Sequence, residues 1–169
     1  AFGWLIIFIY FLIKFRTKGN PIFIQKRMGQ SKKSFNLFKF RTMQPNTQEL
    51  ATHLISKNNV TRVGKYLRIF KLDELPQVIN LIKNEITFVG PRPSLISQEE
   101  LIEKRQESKI LDIKPGLTGY SQINHIDMSD VNRLVKFDHY YFINKSLMID
   151  LKIIIKTFIG IGFKDNVIK

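Results

Sequence analysis

Cysteine is absent from the 169 residues, which excludes a disulfide framework, a thiol nucleophile and a cysteine-ligated metal. Histidine is scarce: His53, His125 and His139 form no metal-ligand spacing and no HExxH pair, so they read as structural. With no Walker A loop and no GxGxxG fingerprint, any bound nucleotide is held by other means. A GxSxG elbow is also missing. Neither an internal repeat, a low-complexity tract nor an interdomain linker interrupts the chain. Acidic residues are few: 14 Asp and Glu face 27 Lys and Arg, for a net charge of +13 and a pI near 10.0.

Such a basic excess implies a negatively charged partner, whether nucleic acid, anionic lipid headgroups or a phosphorylated substrate. Phenylalanine is abundant, at 14, and Phe interleaved with cations suits a membrane interface as well as a nucleic-acid surface. At 44% hydrophobic and 24% charged, the composition is globular, and the length suits one domain able to bury a core.

The uncharged run AFGWLIIFIYFLI (Ala1–Ile13) meets Lys14, Arg16 and Lys18. A straight membrane span needs about 20 apolar residues. The run therefore reads as a truncated span, a re-entrant segment or a buried core helix. Its charges follow the apolar stretch and no small-residue cleavage site appears, which argues against a signal peptide. The same cations place its C-terminal end on the cytoplasmic side. The chain opens on Ala1 inside this run, so a natural N-terminus is expected upstream.

After the Gly19-Asn20-Pro21 turn, Ile22–Gln25 and Phe35–Phe40 read as strands of a hairpin whose long tip is the basic stretch KRMGQSKK. Pro45–Ser56 reads as a short polar helix with loops on either side. Arg62–Ile69 and Glu74–Lys83 have helical spacing, with Val78, Ile79 and Ile82 on one side of the second. Ile86–Val89 is a short strand that stops at Gly90-Pro91. A charged amphipathic helix follows Ser94, Leu117–Asn124 is irregular or extended, and helices fill Ser129–Ile143 and Leu147–Ile161. Lys152 and Lys156 lie four apart among Ile and Phe, the pattern of a helix lying on a membrane with snorkelling lysines; a half-buried helix reads the same way. The expected class is mixed α+β, helix-dominated around a small sheet or hairpin.

Four strings carry possible chemistry. In KLDELPQ, Asp73 can cap the following helix and Glu74 can complement its positive end, with Pro76 tolerated in the first turn. The same carboxylate is able to attack phosphorus and give an acyl phosphate, with the second acid assisting proton transfer or holding a metal. In GPRP, two prolines stiffen the backbone around Arg92, whose guanidinium suits bidentate phosphate recognition; a turn with a surface arginine looks the same. In FKFRTM, strand alternation sets Lys39 and Arg41 on one face, opposite Phe38 and Phe40. Two cations there are able to bind a diphosphate or to form a solvated strand face. In KPGLTGYSQIN (Lys114–Asn124), two glycines and small polar residues permit close backbone approach to a ligand, as does a plain loop.

Together, LDELPQVINLIKNEITFVGPRPSL, the preceding FKFRTM and the following KPGLTGYSQIN resemble the bacterial sugar transferases, the small monotopic phosphoglycosyl transferases. The likeness extends from the apolar start through FDHYYFINKSLMIDLKIIIKTF. It implies that Asp73 attacks the β-phosphate of a UDP-sugar, releasing UMP, and that polyprenol phosphate (undecaprenyl phosphate in bacteria) then takes the sugar phosphate from the aspartyl adduct. Glu74 would complete the dyad, and Mg²⁺ would lie near these carboxylates with Asp73 as a ligand. Arg92 would hold phosphate, with Lys39, Arg41 and Asp138 as further phosphate or nucleotide contacts.

The resemblance further implies a membrane-embedded helix over residues 1–18, interfacial amphipathic helices, and a catalytic domain over 19–169 on the cytosolic face of the inner membrane. Anionic phospholipid, rather than nucleic acid, would then account for the charge. The step would serve capsule, O-antigen or exopolysaccharide synthesis. Family members usually carry a longer N-terminal hydrophobic stretch, often with a Ser-Pro kink where this chain reads Gly3-Trp4, and some have Asn-Gly-Arg where it has Asn124-His125-Ile126. Two rival readings are an inactive membrane-binding or scaffold protein of the same ancestry and a basic nucleic-acid-binding module. The latter leaves the apolar start unexplained and lacks RRM, KH and helix-turn-helix signatures.

Overall fold

The computed structural model describes residues 3–45 and 59–160. In chain order these form α1 (Gly3–Arg16), β1 (Ile22–Met28), β2 (Ser34–Phe40), α2 (Arg62–Ile69), a 3₁₀ segment (Leu72–Gln77) running into α3 (Val78–Ile82), β3 (Thr87–Val89), α4 (Glu99–Glu107), β4 (Gly116–Thr118), α5 (Tyr120–Ile123), α6 (Val131–Asn144) and α7 (Leu147–Phe158). The class is helix-dominated α+β, with two two-stranded sheets among the described residues where one small sheet is expected from sequence. The polar stretch Pro45–Ser56 lies, but for Pro45, outside the described residues. The described residues divide into two compact units, one built from residues 3–25, 37–45 and 59–79, the other from 26–36 and 80–160.

β1 and β2 pair, and each runs through both units. Only Gly29–Lys33 separate them, so the tip is shorter than the sequence suggests: Lys26, Arg27 and Met28 belong to β1. A five-residue connection permits only antiparallel pairing.

In the first unit, Ile9 and Ile13 of α1 pack against Phe40 and Leu67, with Leu5, Ile6, Tyr10, Val63, Leu72 and Leu75 around them. Of the remaining surface of α1, Trp4, Phe8 and Phe15 are largely exposed, so its apolar character exceeds what this core uses. Its 14 residues extend about 21 Å, short of the roughly 30 Å hydrocarbon core of a bilayer. Among the described residues no helix is long and apolar enough to cross a membrane.

Thr61 caps α2, its hydroxyl accepting from the Gly64 amide at 2.9 Å. The Thr61 amide donates to the Thr42 carbonyl at 2.9 Å, and Arg68 Nε donates to Thr42 Oγ1 at 2.9 Å. A β-carbon on Gly64 would stand 2.1 Å from the Thr42 carbonyl oxygen, so only glycine admits this approach. α2 ends in Phe70, and Lys71 adopts a left-handed conformation (φ 55°) that breaks the helix and starts the 3₁₀ segment.

α3 is turned opposite to the usual arrangement. Val78, Ile79 and Ile82 share a side as the spacing predicts, but that side is exposed, while Gln77 and Asn80 are buried. The reason is polar satisfaction: Asn80 Nδ2 donates to the Asn36 carbonyl at 2.7 Å and to Glu85 Oε2 at 2.6 Å.

In the second unit β3 and β4 pair in parallel, Thr87 against Gly116 and Val89 against Thr118, with α4 in the crossover. Of Leu117–Asn124, expected to be irregular or extended, Leu117 and Thr118 are extended as the end of β4, whereas Tyr120–Ile123 form α5. Val89, Ile123, Tyr141 and Ile153 form one core cluster; Leu101, Ile126 and Leu134 join α4 to α6 in another. Tyr141 donates to Asp150 Oδ1 at 2.8 Å, and burial, then that contact, pushes its phenol well up. It serves as a donor in the core.

Candidate active site

Asp73 and Glu74 lie in the first turn of the 3₁₀ segment, placed there by the break at Lys71. Asp73 does not cap the helix. The cap position belongs to Lys71, no side chain bonds there, and the Asp73 carboxylate is buried with Oδ1 lacking any hydrogen-bond partner. A buried, unbonded carboxylate oxygen is expensive and uncommon outside functional sites. Burial first, and the Glu74 charge second, hold the Asp73 carboxyl above its ordinary value; Lys39, then Arg68 and Lys71, pull it down.

Glu74 Oε1 receives Lys39 Nζ at 3.2 Å, both side chains being less than one fifth exposed. The first unit thus brings together Lys39, Asp73 and Glu74, three of the residues singled out from sequence. Arg41 goes elsewhere: its Nε donates to the Asn20 carbonyl at 2.7 Å and its guanidinium lies 5.8 Å from the Phe23 ring centre. Lys39 and Arg41 are both half-buried on either side of the buried Phe40, but they bond different partners, Glu74 and the Asn20 carbonyl.

Arg92 and Asp138 belong to the second unit. Arg92 is half-buried in the loop after β3, and its carbonyl accepts from Arg105 Nη1 at 2.9 Å. Asp138 is buried, its Oδ2 bonded by Nε and Nη2 of the buried Arg105 at 3.1 and 2.5 Å. In the Lys114–Asn124 motif, glycines do allow close approach, but of backbone to backbone: a β-carbon on Gly116 would meet the Gly90 amide nitrogen at 2.1 Å. His139 Nδ1 contacts the Ser108 carbonyl at 3.2 Å, a structural role; His53 lies outside the described residues.

Three contributors escape the sequence reading. Arg68 and Lys71 sit five and two residues before Asp73, a local cation cluster that spacing alone signals only weakly. Arg105 hides in a charged helix where its neighbours are solvated.

A model of the family described as bacterial sugar transferase matches residues 1–164. The chain belongs to that family. Among its sugar transferase relatives is the UDP-N-acetylgalactosamine-undecaprenyl-phosphate N-acetylgalactosaminephosphotransferase of Aeromonas hydrophila, 32% identical over 86% of this chain and 36% of that protein. The UDP-glucose:undecaprenyl-phosphate glucose-1-phosphate transferase of Klebsiella pneumoniae is 36% identical over 86% of this chain and 33% of that protein. The exopolysaccharide production protein ExoY of Sinorhizobium fredii is 36% identical, over 93% and 76% respectively. The chain thus spans about a third of the length of the Aeromonas and Klebsiella proteins and three quarters of the Sinorhizobium one.

Proposed function

We propose that this sugar transferase moves a sugar 1-phosphate from a UDP-sugar to undecaprenyl phosphate through an aspartyl intermediate. The observation that carries the reading is the buried Asp73 carboxylate with its unbonded Oδ1, set beside the Glu74–Lys39 pair in a chain of this family. The printed activities of the Aeromonas and Klebsiella relatives supply the substrate classes.

In the first step a carboxylate oxygen of Asp73 forms a bond to the β-phosphorus. The bond from that phosphorus to the bridging oxygen breaks, and its electron pair leaves with UMP. In the second step a phosphate oxygen of the lipid attacks the same phosphorus and Asp73 departs as a carboxylate, so no oxidant or reductant enters. Lys39 holds Glu74 and lowers the proton affinity of Asp73; to Arg92, in the second unit, falls a phosphate-binding role. Asp73 and Glu74 suit a magnesium ion, which takes one or two carboxylates and fills its remaining sites with waters and substrate oxygens, and which would neutralise diphosphate charge. Among the described residues no group of three or more acidic or histidine side chains stands ready to hold a metal without such help.

Release of UMP on mixing the protein with undecaprenyl phosphate and each of UDP-glucose, UDP-galactose, UDP-N-acetylglucosamine and UDP-N-acetylgalactosamine tests the reading. No UMP from any UDP-sugar in the presence of magnesium leaves the inactive scaffold as the better account.

The bare apolar residues support attachment to a membrane, which on this proposal is the bacterial inner membrane at its cytosolic face. In the first unit α1 exposes Trp4, Phe8 and Phe15; in the second, α7 exposes Leu147, Met148 and Phe158 beside Lys152; each patch by itself suits a lipid interface. Leu151→Asp with Phe158→Asp, both exposed on α7, is expected to weaken partitioning onto phosphatidylglycerol-containing vesicles by about 100-fold or more, since each buried apolar side chain contributes about 1.5–3 kcal/mol. Unchanged flotation would assign α7 to another role.

A further inference from the structure

We infer that Arg105, held by Asp138, is a positioning residue that presents Arg92 to phosphate by fixing the loop that carries it. The inference rests on the phosphate role given to Arg92 above. The loop from Pro91 to Ser94 has neither helix nor strand to satisfy its backbone, yet all four successive carbonyls are bonded. The Pro91 carbonyl accepts from the Gly116 amide at 3.0 Å and the Ser94 carbonyl from the Met28 amide at 3.0 Å. The two between them accept from arginines: Arg105 Nη1 reaches the Arg92 carbonyl at 2.9 Å, and Arg27 Nη1 reaches the Pro93 carbonyl at 3.0 Å. Both arginines are buried, Arg105 to 2% exposure.

A guanidinium is suited to this task because its donors form a rigid fork. Nε and Nη2 are spent on Asp138, which leaves Nη1 aimed at the loop. Flanking prolines already restrict the backbone at 91 and 93, so one tether at each intervening carbonyl removes most of the remaining freedom. Asp138 thereby acts through Arg105. Its burial and its bond to Arg105 favour this role over direct contact with an anionic nucleotide.

The test is calorimetric titration of UDP, in magnesium-containing buffer, into the full-length protein and its variants. Arg105→Lys keeps a cation beside Asp138, but one ammonium cannot span Asp138 and the Arg92 carbonyl together. Weakening of UDP by about tenfold is expected for Arg92→Ala and for Arg105→Lys alone, with less than about threefold further loss when they are combined. The double replacement Arg105→Met with Asp138→Leu removes both buried charges and is expected to keep the melting temperature near that of wild type while weakening UDP to the same degree. Equal factors for Arg92→Ala in the wild-type and Arg105→Lys backgrounds overturn the inference alone. Wild-type protein that fails to bind UDP, or Arg92→Ala that binds it undiminished, removes the phosphate role and the inference with it.

Discussion

Asp73→Asn is expected to abolish UMP release, by on the order of 10⁴-fold or more, while making the protein harder to melt. The loss follows from the chemistry: an amide oxygen does not form the acyl phosphate, and no phosphosugar adduct will appear on the intact protein by mass spectrometry. The gain follows from the burial. Asp73 is protonated more readily in the native state than in the unfolded chain, because burial and Glu74 both disfavour its charge. Stability from that difference is complete below the unfolded carboxyl pKa and is lost as pH rises through the higher native value. Once pH exceeds the native pKa of Asp73 the wild type carries a buried charge that asparagine does not, and each ~1 kcal/mol regained there raises the melting temperature of a domain this size by 2–4 °C. The advantage of Asp73→Asn should disappear in acid, below about pH 3.9, where the carboxyl is protonated in both states. An asparagine variant that still releases UMP at the wild-type rate sinks the mechanism.

Lys39→Met is expected to lower UMP release about 100-fold near pH 7 and to recover part of it in alkali. Lys39 is the first of the three cations that lower the Asp73 pKa, and its ammonium is bonded to Glu74. Its removal raises the proton affinity of Asp73, so the acid limb of the pH–rate profile moves to higher pH. Lys39→Arg keeps the charge and should leave that limb within about half a unit of its wild-type position. A profile that falls uniformly without moving would show that Lys39 contributes contact rather than field.

What could be read from the chain depended on how local its cause was. Arg62–Ile69 is legible to the residue because Thr61 caps it and a left-handed Lys71 follows soon after its end. The Lys39, Asp73 and Glu74 grouping follows from motif order, and two of the three are adjacent in the chain. The side of α3 that turns inward was not legible, since it is decided by the Asn36 carbonyl, 44 residues away from Asn80. The capping reading of Asp73 failed because a backbone break at Lys71 moved the helix start upstream of the acid, which leaves Oδ1 without a donor. Membership of the bacterial sugar transferases, resembled by ordered motifs, is shown by a match over residues 1–164.

The depth at which Asp73 sits bears on economy as well as rate. A mixed anhydride in open solvent is prey to hydrolysis, and each loss would squander a nucleotide sugar for no glycan. If the proposed intermediate forms, an acid enclosed by protein would shield that linkage from bulk solvent until an acceptor arrives. On the reading proposed above, futile cycling in the absence of acceptor should be slow, and mutations that merely loosen the pocket should be seen first as leak.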